Sequence, residues 1–351
     1  MPKSVKLADI AKMMGVSSVT VSKALSGKKG VSEEMREKIR QKADELGYKQ
    51  PSVLRRMYQN RTYTIGVLIA ERYLDKQASF YWKMYQELTD RAKQKGSITA
   101  LEIVSGKQEE MKVRPRLITE KMADGVILIG TMRTDYIAEI LDHTEIPLVC
   151  LDSMDRDLNL DCVVTNNYFG MYRMTKYLLD HGHRKIDFVG TIGSTESITD
   201  RYFGYMKAMT EYGIIPDREQ IVKDREEADG LTEDYEIRLP SRSEMPTAFA
   251  CNCDRTAARV IGRLEKAGYA VPKDISVVGF DNYLYPGLCD VAITTYEVDM
   301  HEMAGRALYI LRKKIEKEYY KKGVATIEGH LVEQESVRIL PVSAGRPVHG
   351  N

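Results

Sequence analysis

The 351-residue chain has few of the features that mark membrane, secreted or metal-binding proteins. No apolar run approaches the roughly 18 residues of a membrane span, and the opening segment MPKSVKLADIAKMMG has no signal-type apolar core. The five cysteines form no CxxC pair, which favours reduced, buried thiols over a disulfide or a metal site. These absences predict a cytoplasmic protein without membrane association.

Motifs of enzyme chemistry are also absent. The sequence contains no nucleophile elbow, HExxH motif or phosphate-binding loop. His181 and His183 in HGHRKI stand at a predicted helix-to-strand junction, which favours a structural role over catalysis. We therefore predict a protein that is not an enzyme and that has no cofactor or metal.

Charge is distributed unevenly along the chain. Residues 1–61 contain 14 lysines and arginines and 6 acidic residues, a net charge of +8, whereas the remainder carries −7. A basic head on an acidic body is expected when only one module binds a polyanion. The same charge run also fits an ordinary solvated surface. The local sequence pattern is therefore needed to distinguish a polyanion-binding module from such a surface.

The first 48 residues predict three short helices. Apolar residues recur at three- and four-residue spacing, Gly15 ends the first helix and Ser17 caps the second. Gly27 ends the second helix, and Ser32 caps the third. Two short helices joined by a tight turn and closed by a third make a helix-turn-helix, although any compact three-helix module shares this periodicity. The predicted inward residues are Leu7, Ile10, Ala11, Met14, Val21, Ala24, Leu25, Met35, Ile39, Ala43 and Leu46.

These residues and later motifs resemble the LacI/GalR repressor family. The headpiece-like segment runs from LADIAKMMGVSS to KADELGY, and IGVLI, ADGVILIG, IPLVCLDS, HGHRKIDFVG, RYFGY, VPKDISVVGFDN and ITTYEVDMHEMAGRA follow in the family's order. The resemblance covers residues 5–340. It implies that the second helix enters the major groove of operator DNA, where Ser18, Val19 and Lys23 read base edges. It also implies that Thr20 and Ser22 contact the backbone phosphates, and a phosphate contact alone stays open for Lys23.

Residues 50–61 form a basic segment between head and body. The resemblance implies a hinge helix that orders on DNA, with Arg55 alongside and Met57 as an apolar wedge in the minor groove. The family usually has Pro-Asn before this helix, whereas this chain has Gln50-Pro51, so the start of the helix is shifted. A plain basic linker is the alternative interpretation.

From Thr64 onwards, short β-rich apolar runs alternate with helical stretches. This alternation predicts an α/β fold with parallel sheets covered on both faces. The resemblance implies a periplasmic-binding-protein-like body of two doubly wound parallel-sheet subdomains behind an all-α helix-turn-helix headpiece. The predicted parts are a headpiece (1–49), a hinge (50–61), an effector-binding and dimerisation domain (62–340) and a tail (341–351). Within that domain, the N-subdomain comprises about 62–164 and 293–326, and the C-subdomain about 165–292 and 327–340.

Ligands of parallel sheets bind beyond the carboxyl ends of the strands, so polar residues there are the candidate effector site. Arg201 and Asp281 match effector positions of the family, and an arginine–carboxylate pair suits vicinal hydroxyls. Phe80 begins the first body helix and flanks a sugar or belongs to the core. The remaining candidates occupy family positions with altered residues: Thr165, Asn166, Asp224 and Cys253.

The sequence therefore predicts a homodimeric, sequence-specific transcription regulator, a repressor, that binds double-stranded operator DNA. Its predicted effector is a small polar molecule, a sugar or glycoside. Two alternatives use the same body: a solute-binding receptor without a DNA role, and a sugar-processing enzyme.

Overall fold

The computed structural model describes residues 6–25, 30–46, 48, 62–74, 79–155, 157–217, 220–226, 235–284 and 287–341. The chain divides into two compact units. The head comprises Met1–Thr62 together with Glu316–Glu318, and the body comprises Tyr63–Ile315 and Tyr319–Asn351. In the described part of the chain, no helix is long and apolar enough to cross a membrane.

The described residues of the head form the helices α1 (Leu7–Met14), α2 (Ser18–Leu25) and α3 (Glu33–Glu45). Gly15 ends α1 in the left-handed conformation, with φ 64°. The Ser17 hydroxyl accepts a hydrogen bond from the Thr20 amide at 3.1 Å and so caps α2. At the other end of α2, the Arg36 guanidinium donates to the Ala24 carbonyl at 3.3 Å. The buried core consists of Ile10, Ala11, Val21, Ala24, Ile39 and Ala43, all predicted to face inward.

A six-stranded parallel sheet forms the first half of the body, with strand order β11-β5-β4-β3-β1-β2. β1, β3 and β4 are buried along nearly their whole length, as expected for strands covered on both faces. The strands are β1 (Thr64–Ala70), β2 (Ile98–Val104), β3 (Gly125–Ile129), β4 (Leu148–Leu151), β5 (Asp161–Thr165) and β11 (Val324–Ile327). The helices are α4 (Phe80–Gln94), α5 (Gly106–Glu110), α6 (Arg116–Thr119), α7 (Thr134–Asp142) and α11 (Met300–Ile315).

A four-stranded parallel sheet forms the second half, with strand order β7-β6-β8-β9. Its core packs between β6, β8 and β9 and helix α10. The strands are β6 (Ile186–Val189), β7 (Ile221–Val222), β8 (Ala248–Cys251) and β9 (Ser276–Val278), and the helices are α8 (Asn167–Asp180), α9 (Glu196–Glu211) and α10 (Asp254–Lys266).

Three crossings join the two halves. β5 of the first sheet leads into α8 of the second half, and β9 leads into β10 (Thr295–Glu297). β11 leads into β12 (His330–Val332), which pairs antiparallel with β10. The α/β fold class predicted from the sequence is confirmed, and the carboxyl ends of the strands in both halves carry the polar residues considered next.

Candidate functional site

The exposed face of α2 carries the residues predicted to contact DNA. Ser18, Val19, Ser22 and Lys23 are exposed, and Val19 exposes 62% of its surface. An apolar side chain at this exposure contributes nothing to the core, whereas it suits contact with a thymine methyl group. Thr20 is half-buried, and its hydroxyl lies 2.9 Å from that of Ser17. Arg55 and Met57, the predicted hinge residues, lie outside the described residues.

Arg201 and Asp281, predicted as partners from the sequence, form an ion pair in the body. The Arg201 Nη2 atom lies 3.2 Å from Asp281 Oδ1, and both side chains are largely buried. Arg201 Nε donates to Asn167 Oδ1 at 2.8 Å, and Nη1 donates to the Asn252 carbonyl. The guanidinium lies over the Phe280 ring, 3.7 Å from its centroid. Arg201 is therefore fixed in position by α8, β8 and β9 before any ligand arrives.

Asp281 is held in a conformation that its residue type rarely adopts. Its φ is 105°, and that of Asn282 is 48°. Strained backbone of this kind persists where the surroundings over-determine it, and it occurs often at ligand-binding positions. Burial raises the pKa of the Asp281 carboxyl to about 6, although Arg201 acts in the opposite direction.

The first half of the body contributes Asp152 and Tyr81 to the same region. Asp152 directly follows β4, has a φ of 57°, and accepts a hydrogen bond from the Tyr81 hydroxyl. Desolvation raises the pKa of the Asp152 carboxyl to about 7, Arg201 opposes this shift, and Asp281 adds to it. Carboxylates from both sheets thus lie within electrostatic range of one arginine. We call Tyr81, Asp152, Arg201, Arg225 and Asp281 the effector cleft.

Arg225 belongs to this set and is held by Asp224, one of the predicted effector residues, whose carboxylate has internal partners. Asp224 is fully buried, and its Oδ1 accepts from the Thr191 amide while its Oδ2 accepts from Asn252 and Thr256. The Arg225 guanidinium donates to both oxygens, at 3.1 and 2.8 Å. Burial alone would raise the pKa of Asp224, but the hydrogen bonds from these donors and the charge of Arg225 outweigh it and lower the pKa to about 2. Asp224 is therefore a buried anchor for Arg225, and its predicted contact with an effector stays a prediction.

Thr165 and Asn166, two further predicted effector residues, also have intramolecular partners. The buried Thr165 hydroxyl donates to the Ile327 carbonyl at 3.4 Å. Asn166 caps α8 through the Phe169 amide at 3.1 Å and donates to Glu328 at 2.7 Å. Both side chains tie the first crossing to the third, and it is the neighbouring Asn167 that contacts Arg201.

Phe80 and Cys253 lie beside the effector cleft. The Phe80 ring is in edge contact with Tyr81 and with Tyr283 of the other half, with centroids 5.4 and 6.2 Å apart. Cys253 caps α10 by accepting from the Thr256 amide, and burial raises the pKa of its thiol, as does the nearby Asp281. The sequence did not single out Tyr81, Asp152, Asn167 or Arg225, of which only Asp152 carried a signal, a carboxylate directly after a strand.

A helix-turn-helix head and a two-sheet body with a polar cleft define the class of ligand-responsive, DNA-binding regulators. The family description "Bacterial regulatory proteins, lacI family" matches residues 6–51, and "Periplasmic binding protein-like domain" matches residues 175–337. The transcriptional regulator RegA of Clostridium saccharobutylicum is 30% identical over 335 residues, covering 94% of this chain and 98% of that protein. The transcriptional repressor PurR of Vibrio atlanticus is 29% identical over 337 residues, covering 95% and 99%.

Solved structures share the fold. The lac repressor dimer bound to operator and the anti-inducer ONPF has a TM-score of 0.65 at 21% identity, covering 96% of this chain and 100% of that one. The complex of the transcriptional regulator CelR with cellobiose has a TM-score of 0.65 at 23% identity, covering 95% and 99%. The chain belongs to the lacI family of bacterial regulatory proteins, as its motifs predicted, and it is a DNA-binding transcriptional regulator and not an enzyme.

Proposed function

We propose that this chain is a homodimeric repressor that binds double-stranded operator DNA through α2 and responds to a sugar or glycoside in the effector cleft. The exposed face of α2 carries the DNA-binding part of the proposal, because Ser18, Val19 and Lys23 offer a hydroxyl, a methyl contact and a cation on one side of a capped helix. Relatives named as transcriptional repressors support the direction of control.

The effector cleft suits vicinal hydroxyl groups. Asp281 accepts and Arg201 donates in a fixed geometry, and Asp152 adds a second acceptor from the opposite sheet. Phe80 and Tyr283 place aromatic rings at the same opening. Carboxylates, an arginine and aromatic rings together are the side chains that bind a sugar by its hydroxyls and its apolar face. The cellobiose bound to CelR, which shares the fold, supports this ligand class.

A gel-shift experiment with the DNA upstream of the protein's own gene tests the DNA-binding part. Lys23→Ala is expected to weaken specific binding by about 1–3 kcal/mol and to relax the preference at one base pair in each half-site, if Lys23 reads a guanine. Lys38→Ala is the matched control, because Lys38 lies on α3 in an exposed ion pair with Glu34. An equal loss on random DNA would make Lys23 a phosphate contact, and no specific binding by the wild type would contradict the DNA-binding role.

A thermal-shift screen of sugars, glycosides and heteroaromatic bases identifies the effector. Asp281→Asn is then expected to weaken its binding roughly tenfold to a hundredfold, the worth of one charge-assisted hydrogen bond. Operator binding without effector should change far less, and Asp290→Asn, an exposed carboxylate of the same subdomain, should change neither. If only heteroaromatic bases raise the unfolding temperature, the effector is a planar molecule stacked on the aromatic rings and not a sugar. Unchanged affinity in Asp281→Asn would place the ligand elsewhere.

The dimer has a candidate surface on the first half of the body. β2 is the edge strand of the six-stranded sheet, and Ile98 and Ile103 on it are 58% and 47% exposed, beside Trp82 on α4 at 37%. An exposed apolar edge strand is a liability unless another surface covers it. A second copy of the chain would cover it and would supply the second head for the second half-site.

A further inference from the structure

A cavity of about 650 Å³ lies beside β6 and β7, and none of its described lining residues belongs to the effector cleft. Its lining includes Lys185, Asp187, Lys223, Tyr235 and Arg238. The volume falls within the range of roughly 300–1,000 Å³ that is typical of small-molecule sites. Neither the DNA-binding face nor the effector cleft uses these side chains, so the cavity has no role in the function proposed above.

Asp187 is the unusual residue of this cavity. It stands on β6 between the apolar Ile186 and Phe188, is only 2% exposed, and lines the cavity. Its Oδ1 atom has no hydrogen-bond partner among the described residues. Leaving a buried acceptor unpaired costs stability, because the atom has lost its hydrogen bonds to water and gained none in return. Burial raises the pKa of this carboxyl to about 6, with Lys185 and a hydrogen bond from the Gln220 side chain acting against the shift. A hydrogen-bond donor from a bound molecule would remove this cost.

The rest of the lining restricts what that molecule can be. Three cationic side chains, Lys185, Lys223 and Arg238, suit an anionic group, and the Tyr235 ring offers an apolar face. Asp217 and Glu244 also line the cavity and disfavour a ligand that is negative along its whole length. The lining thus fits a molecule that carries both hydroxyl groups and a single anionic group.

We propose that this cavity is a second small-molecule site that takes a polyol bearing one phosphate group. A ligand hydroxyl donates to the Asp187 carboxyl group, the carbon chain lies against Tyr235, and the phosphate contacts the cationic side chains. Binding is non-covalent and needs no metal or co-reactant.

Isothermal titration calorimetry of the full-length protein with sorbitol 6-phosphate tests the proposal, with sorbitol and inorganic phosphate as probes that each keep one half of the ligand. The polyol phosphate is expected to bind saturably at one site and more tightly than either half. Asp187→Leu, which keeps the size of the side chain and removes the acceptor, and Arg238→Ala should each weaken it at least tenfold. Asp281→Asn, in the effector cleft, should leave it unchanged. Because Asp187→Leu removes an unpaired buried acceptor, the ligand-free variant should also unfold at a higher temperature than the wild type.

Three results would overturn the proposal. Saturable binding that Asp281→Asn abolishes and Asp187→Leu leaves intact would place the probe in the effector cleft. Absence of saturable binding to the wild type at millimolar concentration would leave the cavity without this ligand. A higher unfolding temperature of Asp187→Leu combined with unchanged probe affinity would make Asp187 a destabilising core carboxylate only. None of these results depends on DNA binding, so they are distinguishable from a failure of the proposed regulatory function.

Discussion

Acidification should destabilise the body through His183. This buried ring lies with Nδ1 at 2.9 Å from the Thr247 hydroxyl and Nε2 at 3.1 Å from the Arg338 carbonyl. A carbonyl only accepts, so we assign the proton to Nε2. The Thr247 hydroxyl has one proton, for which Nδ1 and the Lys185 carbonyl at 3.0 Å compete. Because the Lys185 carbonyl also accepts from the Thr247 amide, we assign the hydroxyl proton to Nδ1. With this assignment the neutral ring fits both contacts, and it connects the start of β6 to the last described segment of the chain.

The size of the effect follows from the two pKa values. Burial lowers the pKa of His183 from 6.5 to about 4, so between these values the unfolded chain binds a proton that the folded protein does not. The stabilisation is therefore fully present above the unfolded value and is lost as the pH falls through it towards the folded one. Over the whole window this amounts to about 3 kcal/mol, of which about 2 kcal/mol is lost by about pH 5.

Urea denaturation followed by circular dichroism, from about pH 7.5 to about pH 5, measures this loss against a His183→Gln variant that cannot titrate there. Asp187 and Asp281 have raised pKa values, so they add stability as the pH falls. They do so in both proteins and cancel in the difference. The free energy of unfolding of the wild type should fall more steeply than that of the variant. Parallel pH profiles would refute the assignment of a buried neutral histidine.

Two further predictions concern packing surfaces. Ile103→Glu should convert the dimer to monomer in light-scattering measurements, because it places a charge on the exposed edge strand β2. The control is Ile215→Glu, at a position 85% exposed in the other half. If both variants stay dimeric, the dimer interface lies elsewhere. Gly204→Ala should lower the unfolding temperature, since a Cβ atom there would lie 2.1 Å from the Tyr168 carbonyl oxygen of α8. Gly262→Ala, where a Cβ meets nothing within 4 Å, should be neutral or stabilising, and equal effects of the two substitutions would contradict this close helix contact.

The head was predictable almost residue by residue because local rules decide its structure. The spacing of Ile10, Val21 and Ile39 specifies one buried stripe on each helix, and Gly15 and Ser17 mark the ends between α1 and α2. The buried strands of the body were equally clear as continuous apolar runs. β2 was not recognised, since Thr99 and Glu102 interrupt the apolar run of its sequence ITALEIV.

The effector cleft was predictable only in part. Arg201 and Asp281 lie in the recognisable family motifs RYFGY and VPKDISVVGFDN, whereas Arg225 follows β7, a strand of two residues that no periodicity reveals. Asp224 accepts hydrogen bonds from Asn252 and Thr256, which are about 30 residues away in sequence. These contacts decide that the Asp224 carboxylate has internal partners, while Arg225 belongs to the effector cleft. The choice between Asn166 and Asn167 likewise depends on which one caps α8. Tertiary contacts of this kind leave no local signal.

Asp281 and its neighbours connect the effector cleft to the crossings between the two halves. The Asp281 amide donates to the Tyr296 carbonyl of β10 at 2.8 Å, so the effector carboxylate is held by the strand that follows the second crossing. The Phe280 ring, on which Arg201 lies, packs against the Tyr296 ring with centroids 4.9 Å apart. The Tyr296 hydroxyl in turn accepts from the Gly329 amide at 2.9 Å, at the third crossing, where a Cβ would lie 2.0 Å from the Glu297 carbonyl oxygen. Arg201, Phe280, Tyr296 and Gly329 therefore form one packed series that connects the Arg201–Asp281 pair to the second and third crossings between the two halves.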